Sequence, residues 1–302
     1  MQASPAGIYP ILYAYYDAAG KLDRDAMCRQ VECCVAAGAH GIAVLGLITE
    51  VADLALSERR QIVDWAVEDI RGRVQLAVTV AGESPKDQSA FASACVAAGA
   101  DWLILQPPKQ SKPSEAELQR FFGATMSSVD VPVGIQNFPE VLGVGLGAAA
   151  IGELHRVESN FTVMKGEGPV YQIRKYLDAC AGEIAIFNGR GGIELPDNLR
   201  AGCRGIIPAP DCADVQVAMY EAFVASDMER MDALYSRSLP YVTFVMQSVE
   251  FALTYGKRFT AERMCIDNSA LPRVVRIRAD DFGLERLYAH GAFARKFGEW
   301  VE

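Results

Sequence analysis

The chain has 302 residues, 51% hydrophobic and 22% charged, with 38 acidic against 29 basic side chains and a formal net charge of −9. That size fits two small domains or one (β/α)8 barrel with additions. The acidic balance leaves no basic surface for nucleic acid or an anionic membrane, and Gly, Pro or charge interrupts every apolar stretch well short of a membrane span. Met1-Gln2-Ala3-Ser4-Pro5 has no basic flank leading into an apolar core, so no signal peptide is expected. The eight cysteines contain no Cys-x-x-Cys and read as small buried hydrophobes in a reducing, cytoplasmic compartment. The histidines, His40, His155 and His290, are dispersed, so neither a metal site nor another cofactor is expected.

Gly7 to Tyr16 reads as a buried strand closed by Asp17 and Gly20. Asp23 then has the place of an N-cap for a helix running to Ala37, with Gly38 as its stop. The unalternated apolar run Gly41 to Gly46 suits a strand covered on both faces, as in a parallel sheet. A helix opening at Ser57-Glu58 leads to a third strand over Val74–Val80, and a helix over Pro85–Ala98 leads to a fourth over Trp102–Leu105. Val35-Ala36-Ala37-Gly38-Ala39 and Val96-Ala97-Ala98-Gly99-Ala100, about sixty residues apart, each turn a helix end back into a strand, a spacing of two βα units at about 30 residues each. Such repetition argues for one barrel rather than two domains. After the helix Glu115–Met126, strands follow near Pro132–Gln136, up to Lys165, over Ile184–Asn188 and over Gly205–Pro208. After the eighth strand the pattern is wholly helical, over Val215–Ala225, Met228–Ser248 and Ala279–Phe297. The expected organisation is a barrel over 1–225 and a helical region over 226–302, packed on the barrel and on a neighbouring subunit.

In such a barrel the reactive groups sit at the C-terminal ends of the strands. Those ends carry Gly46 to Glu50, Gln106, Gln136-Asn137, Lys165 to Glu167 and Asn188-Gly189, with Glu194 shortly after. A lysine closing an apolar strand is the residue to watch. Burial disfavours its ammonium, and a neutral amine captures ketones as Schiff bases. One lysine, two nearby acids and no metal cluster suit imine chemistry on a keto acid, with carboxylates moving protons on the adjacent carbon. Each residue also has a plainer role. Glu167 could be only an ion-pair partner of Lys165, Glu194 only a carboxylate at a helix N-terminus, and Glu50 an anchor for its own loop. Asn188 to Gly192 leaves backbone room around a ligand, and Tyr13, Tyr15 and Tyr16 pack the core or the barrel rim.

Gly46-Leu47-Ile48-Thr49-Glu50, Leu56-Ser57-Glu58-Arg59, Gln136-Asn137-Phe138-Pro139 and Met164-Lys165, in that order and spacing, resemble the dihydrodipicolinate synthase and N-acetylneuraminate lyase superfamily. The resemblance implies a (β/α)8 TIM barrel with a C-terminal helical extension, a Schiff-base lysine at Lys165, and a homodimer or homotetramer. It also implies substrate contacts from Gly46, Leu47, Ile48, Thr49, Gln136, Asn188 and Gly189. Leu47 and Ile48 replace the family's common threonine pair, so backbone amides with Thr49 are expected to hold the carboxylate. Gln136 stands where the synthases and aldolases carry a proton-relaying tyrosine, and an amide cannot titrate. Val141 stands where the synthases carry an arginine. With Lys165-Gly166-Glu167 and Gly191-Gly192-Ile193-Glu194, the chain is most similar to the branch of L-2-keto-3-deoxyarabonate dehydratase. That similarity implies dehydration of a 2-keto-3-deoxy sugar acid by Lys165, Glu167 and Glu194. The competing readings are a pyruvate-dependent aldolase for the same acids and a non-catalytic keto-acid-binding relative.

Overall fold

The computed structural model describes residues 4–267 and 273–300. Among them, eight parallel strands are hydrogen-bonded in the order β1-β8-β7-β6-β5-β4-β3-β2, with β1 Gly7–Ile8, β2 Gly41–Val44, β3 Gln75–Val80, β4 Trp102–Leu105, β5 Val133–Asn137, β6 Val163–Gly166, β7 Ala185–Asn188 and β8 Gly205–Ile206. A parallel bridge from Ile11 to Ala43 brings the chain after β1 against β2, which closes the (β/α)8 barrel. The apolar run from Gly7 to Tyr16 thus forms less ladder than its composition predicts. Pro10 has no N–H to donate; its carbonyl accepts from Ala43 N at 2.9 Å, while Leu12 N donates to Ala43 O at 2.9 Å.

Alternation along each strand sorts the core into two layers. Inward residues such as Tyr9, Ile104, Val163 and Phe187 fill the barrel, while outward ones such as Val78, Leu105 and Met164 pack under the helices. Tyr9, Trp102 and Phe187 form an aromatic plug with ring centroids 5.2–5.5 Å apart. Gly41 permits it, since a Cβ there would stand 2.0 Å from the Tyr9 ring.

The caps follow local chemistry. Asp23 accepts from Ala26 N at 3.0 Å ahead of the helix Arg24–Ala36, and Ser114 and Glu117 form a capping box ahead of Glu115–Met126. The helix read as opening at Ser57 begins instead at Leu56, with Ala55 as N-cap and the Glu58 carboxylate taking Ala55 N–H at 2.8 Å.

Beyond β8 lie helices Ala213–Val224, Met228–Val245 and Asp281–Gly291. Between the last two runs a segment that the hydrophobic pattern did not separate, Val249–Phe251, a π-turn over Ala252–Gly256, and Lys257–Met264. The last predicted helix is also shorter than Ala279–Phe297, because the chain turns at Ala292 into a bridge between Ala294 and Trp300.

This missed segment is bolted to the barrel by buried charges. Lys257 Nζ lies 2.7 Å from Glu50 Oε1, both side chains fully buried. Arg263 holds Asp214 with two bonds of 2.7 and 2.9 Å. Tyr15 donates to Lys257 O at 2.8 Å and Tyr13 to Ala252 O at 3.3 Å, so these tyrosines join barrel to helices. Glu50 anchors its loop through Lys257 from a left-handed backbone, φ 58°. Lys257→Met would leave Glu50 buried without a cation, an expected loss of about 3–5 kcal/mol by urea unfolding. Adding Glu50→Leu should recover most of it; a single variant within experimental error of the parent would show the pair to be idle.

Candidate active site

In β6 the alternation turns Val163 inward, Met164 outward and Lys165 inward. Lys165 is paired in register with Gln136 of β5 and Phe187 of β7, and is 4% exposed. Its Nζ lies 3.5 Å from Glu167 Oε1. Glu167, 5% exposed, is set by its own N–H, which donates to Asn137 O at 3.0 Å. Its other oxygen, Oε2, accepts from Gln136 Nε2 at 2.5 Å. Gln136 Oε1 accepts from Gln106 Nε2 at 2.7 Å, and the Gln106 carbonyl accepts from Gln88 Nε2 at 2.9 Å. The side-chain amides of Gln106 and Gln136 thus form a directional chain that ends on the carboxylate, while Gln88 holds the Gln106 backbone. Burial pushes the Glu167 carboxyl above the usual carboxylate range, opposed by the Lys165 charge and the Gln136 bond. Gly189 is needed beside it, because a Cβ there would lie 2.5 Å from Glu167 Oε1.

Lys165, Glu167, Leu47, Ile48 and Gly189 line one cavity of about 250 Å³ at the C-terminal end of the barrel. The other sequence candidates stand outside its lining. Thr49, fully buried, donates to Leu12 O at 2.7 Å and accepts from Gly46 N at 3.2 Å, so its hydroxyl holds the turn Leu47–Thr49 and Gly46 N–H is engaged there too. Asn188 is likewise occupied: Nδ2 donates to Gly168 O and Asn198 Oδ1, and Oδ1 accepts from Arg190 N at 2.7 Å. Gln136 reaches the cavity through Glu167. Glu194 precedes the helix Leu195–Ala201; its Oε1 accepts from Val170 N at 3.4 Å and its Oε2 lies 3.2 Å from Arg190 Nη1. It meets the cavity through Arg190, which lines it.

Three charged residues of the cavity lining, Glu140, Arg190 and Asp211, were not among the sequence candidates. Arg190 sits within a glycine-rich loop that suggested only backbone room. Asp211 follows β8 by five residues and is 5% exposed. The wall formed by Val245 to Val249 was also unexpected, since the helical extension carried no signal of facing the site. Among the described residues no cluster of three metal-ligating side chains occurs, and no helix is long and apolar enough to cross a membrane.

Eight parallel strands with a lysine and a carboxylate sunk at their C-terminal ends define a barrel of the enzyme type, whose sites sit at that face. The chain belongs to the dihydrodipicolinate synthetase family, whose profile matches residues 4–253. Among its relatives, a 4-hydroxy-tetrahydrodipicolinate synthase of Methanoculleus marisnigri is 27% identical over 239 residues, 78% of this chain and 81% of the relative. One from Desulfotalea psychrophila is 24% identical over 272 residues, 89% of this chain and 90% of the relative. The fold is similar to that of dihydrodipicolinate synthase from Rhodopseudomonas palustris, with TM-score 0.87, 19% identity, and coverage of 95% of this chain and 97% of that one. It is also similar to that of YagE from E. coli K12, a prophage protein of the dihydrodipicolinic acid synthase family solved with pyruvate, with TM-score 0.84, 22% identity, and coverage of 96% and 98%. Membership places the protein among enzymes of the lyase class.

Proposed function

We propose that the protein is a Schiff-base hydro-lyase that removes water from a 2-keto-3-deoxy sugar acid, foremost L-2-keto-3-deoxyarabonate, giving 2,5-dioxopentanoate. The observation that carries the reading is the buried carboxyl of Glu167, 3.5 Å from Lys165 and tethered by an amide where the synthases carry a tyrosine. Lys165 transfers a proton to Glu167 and attacks C2, and loss of the carbonyl oxygen as water leaves a protonated imine. That imine is an electron sink. Glu167 then takes a proton from C3, and the C4 hydroxyl leaves as water once protonated, a step we assign to Glu194 with Arg190. Loss of a C5 proton and reprotonation turn the C5 carbinol into an aldehyde, and hydrolysis frees Lys165. Net, one water leaves. Backbone amides of Leu47 and Ile48 hold the substrate carboxylate. Val141 in the cavity lining offers no charge to a second carboxylate, which supports a sugar acid over the synthases' substrate. A cavity of about 250 Å³ suits an acid of few carbons. We place the reaction in the cytoplasm, in a homodimer or homotetramer that covers exposed apolar groups such as Phe282.

Incubation with 2-keto-3-deoxypentonate tests the reading. The semialdehyde is the expected product; pyruvate would make the enzyme an aldolase, and capture without turnover a binding protein. Glu194→Gln should still form the pyruvate imine, trapped by borohydride on Lys165, while dehydration falls by about 10²–10⁴. Near-normal turnover would remove Glu194 from the chemistry and leave it the role of holding Arg190.

A further inference from the structure

Of the two cavity-lining carboxylates that the reaction above does not use, Glu140 is exposed and Asp211 is buried. Asp211 Oδ1 accepts from Cys212 N at 3.0 Å and its Oδ2 from the Tyr241 hydroxyl at 3.1 Å, both neutral donors. Arg263 bonds only the Asp211 backbone carbonyl, at 2.6 Å, and gives its charge to Asp214. Among the described residues Asp211 therefore has no ion-pair partner, and burial pushes its carboxyl up to about 6. A carboxylate buried without a counter-ion is costly, and such groups cluster where they serve a ligand. Asp211 lies where the chain beyond β8 meets Tyr241 and the Ala252–Gly256 turn, between barrel mouth and helical roof. Around the mouth, β8 is two strands from the lysine on β6 and two from the carboxylate loop after β2. A keto acid joined to both of those points has its tail left for the third wall.

We infer that Asp211, positioned by Tyr241, accepts a hydrogen bond from the terminal hydroxyl of the substrate tail and so selects a neutral hydroxylated end over an apolar or carboxylated one. This rests on the keto-acid reading above. A hydroxyl adds a further donor to a carboxylate that has only two neutral ones and no counter-ion; a methyl displaces water and adds no donor, and a second carboxylate is repelled.

The test compares 2-keto-3-deoxypentonate with 4-hydroxy-2-oxopentanoate, the same skeleton without the C5 hydroxyl, using pyruvate as a tail-less control. The readout is the half-saturating concentration for borohydride trapping on Lys165, which registers capture whether or not water is then lost. The parent protein should favour the hydroxylated acid, and Asp211→Ala should reduce that preference by about tenfold to a hundredfold with pyruvate capture unchanged. Asp211→Asn, which keeps the shape and one acceptor, should fall between. A preference unaltered in both variants, or equal weakening for all three acids in Asp211→Ala and Tyr241→Phe, would reduce Asp211 to a strut and overturn the inference. Trapping with an intact preference but no semialdehyde would instead remove the dehydratase reading and leave Asp211's role standing. If no acid is trapped, both fall.

Discussion

Lys165→Ala is expected to abolish borohydride-dependent labelling by pyruvate and to lower turnover of 2-keto-3-deoxypentonate by about 10⁴-fold or more, the scale on which loss of a covalent nucleophile is felt. The side chain is the cavity-lining amine at the C-terminal end of β6, and Arg190, the other cation of that lining, cannot form an imine because a guanidinium stays protonated. Lys165→Arg should therefore be as inactive as the alanine variant, although it retains a positive charge near Glu167. Mass spectrometry of the reduced protein decides the matter: the pyruvate adduct belongs on the peptide carrying Lys165. An adduct on another lysine, or turnover surviving in the alanine variant, would remove the proposed chemistry.

Glu167→Gln is the second large effect. The amide keeps the shape and can still accept from Gln136 through its carbonyl, but it cannot take a proton. Dehydration should fall by about 10²–10⁴, and imine formation should slow but persist. Stability should move the other way. The Glu167 carboxyl is raised by burial, net of its attraction to Lys165, so in the folded state it favours protonation more than in the unfolded one. Its contribution is present at a pH below the unfolded value and is lost as pH rises through the folded value. The glutamine variant mimics the protonated form, so it should match or exceed the parent in unfolding experiments at neutral and mildly alkaline pH. The gap should close on acidification. A variant that is less stable than its parent at neutral pH, and equally active, would show Glu167 to be only the lysine's ion-pair partner.

Much of the barrel could be read from local pattern, and much of the site could not. Apolar runs and small-residue helix ends locate the strands because parallel strands are buried on both faces, and the order of strand ends then brings Lys165, Glu167 and Leu47 to one mouth. What escapes the sequence is where a side chain is committed. Thr49 and Asn188 have the right position and chemistry for substrate, yet their polar atoms bind Leu12, Gly168, Asn198 and Arg190. Glu194 reaches across to Val170 and Arg190 rather than straight into the cavity. The segment Val249–Met264 was hidden for a related reason. Lys257 and Arg263 are buried in it, paired with Glu50, 207 residues away, and Asp214, 49 residues away. Charges satisfied over such distances make a buried helix look like a solvated one.

The amide chain behind Glu167 has a further consequence. Carboxamides align dipoles but do not titrate, so Gln106 and Gln136 give protons no conductive path from the carboxylate into the barrel wall. Glu167 is insulated at its back. In the proposed dehydration a hydrogen taken from C3 would then depart only forward, to the bound acid, to Lys165 or to water from the open face, so transfer of that hydrogen from one substrate carbon to another is an expected outcome, read by deuterium retention in the product.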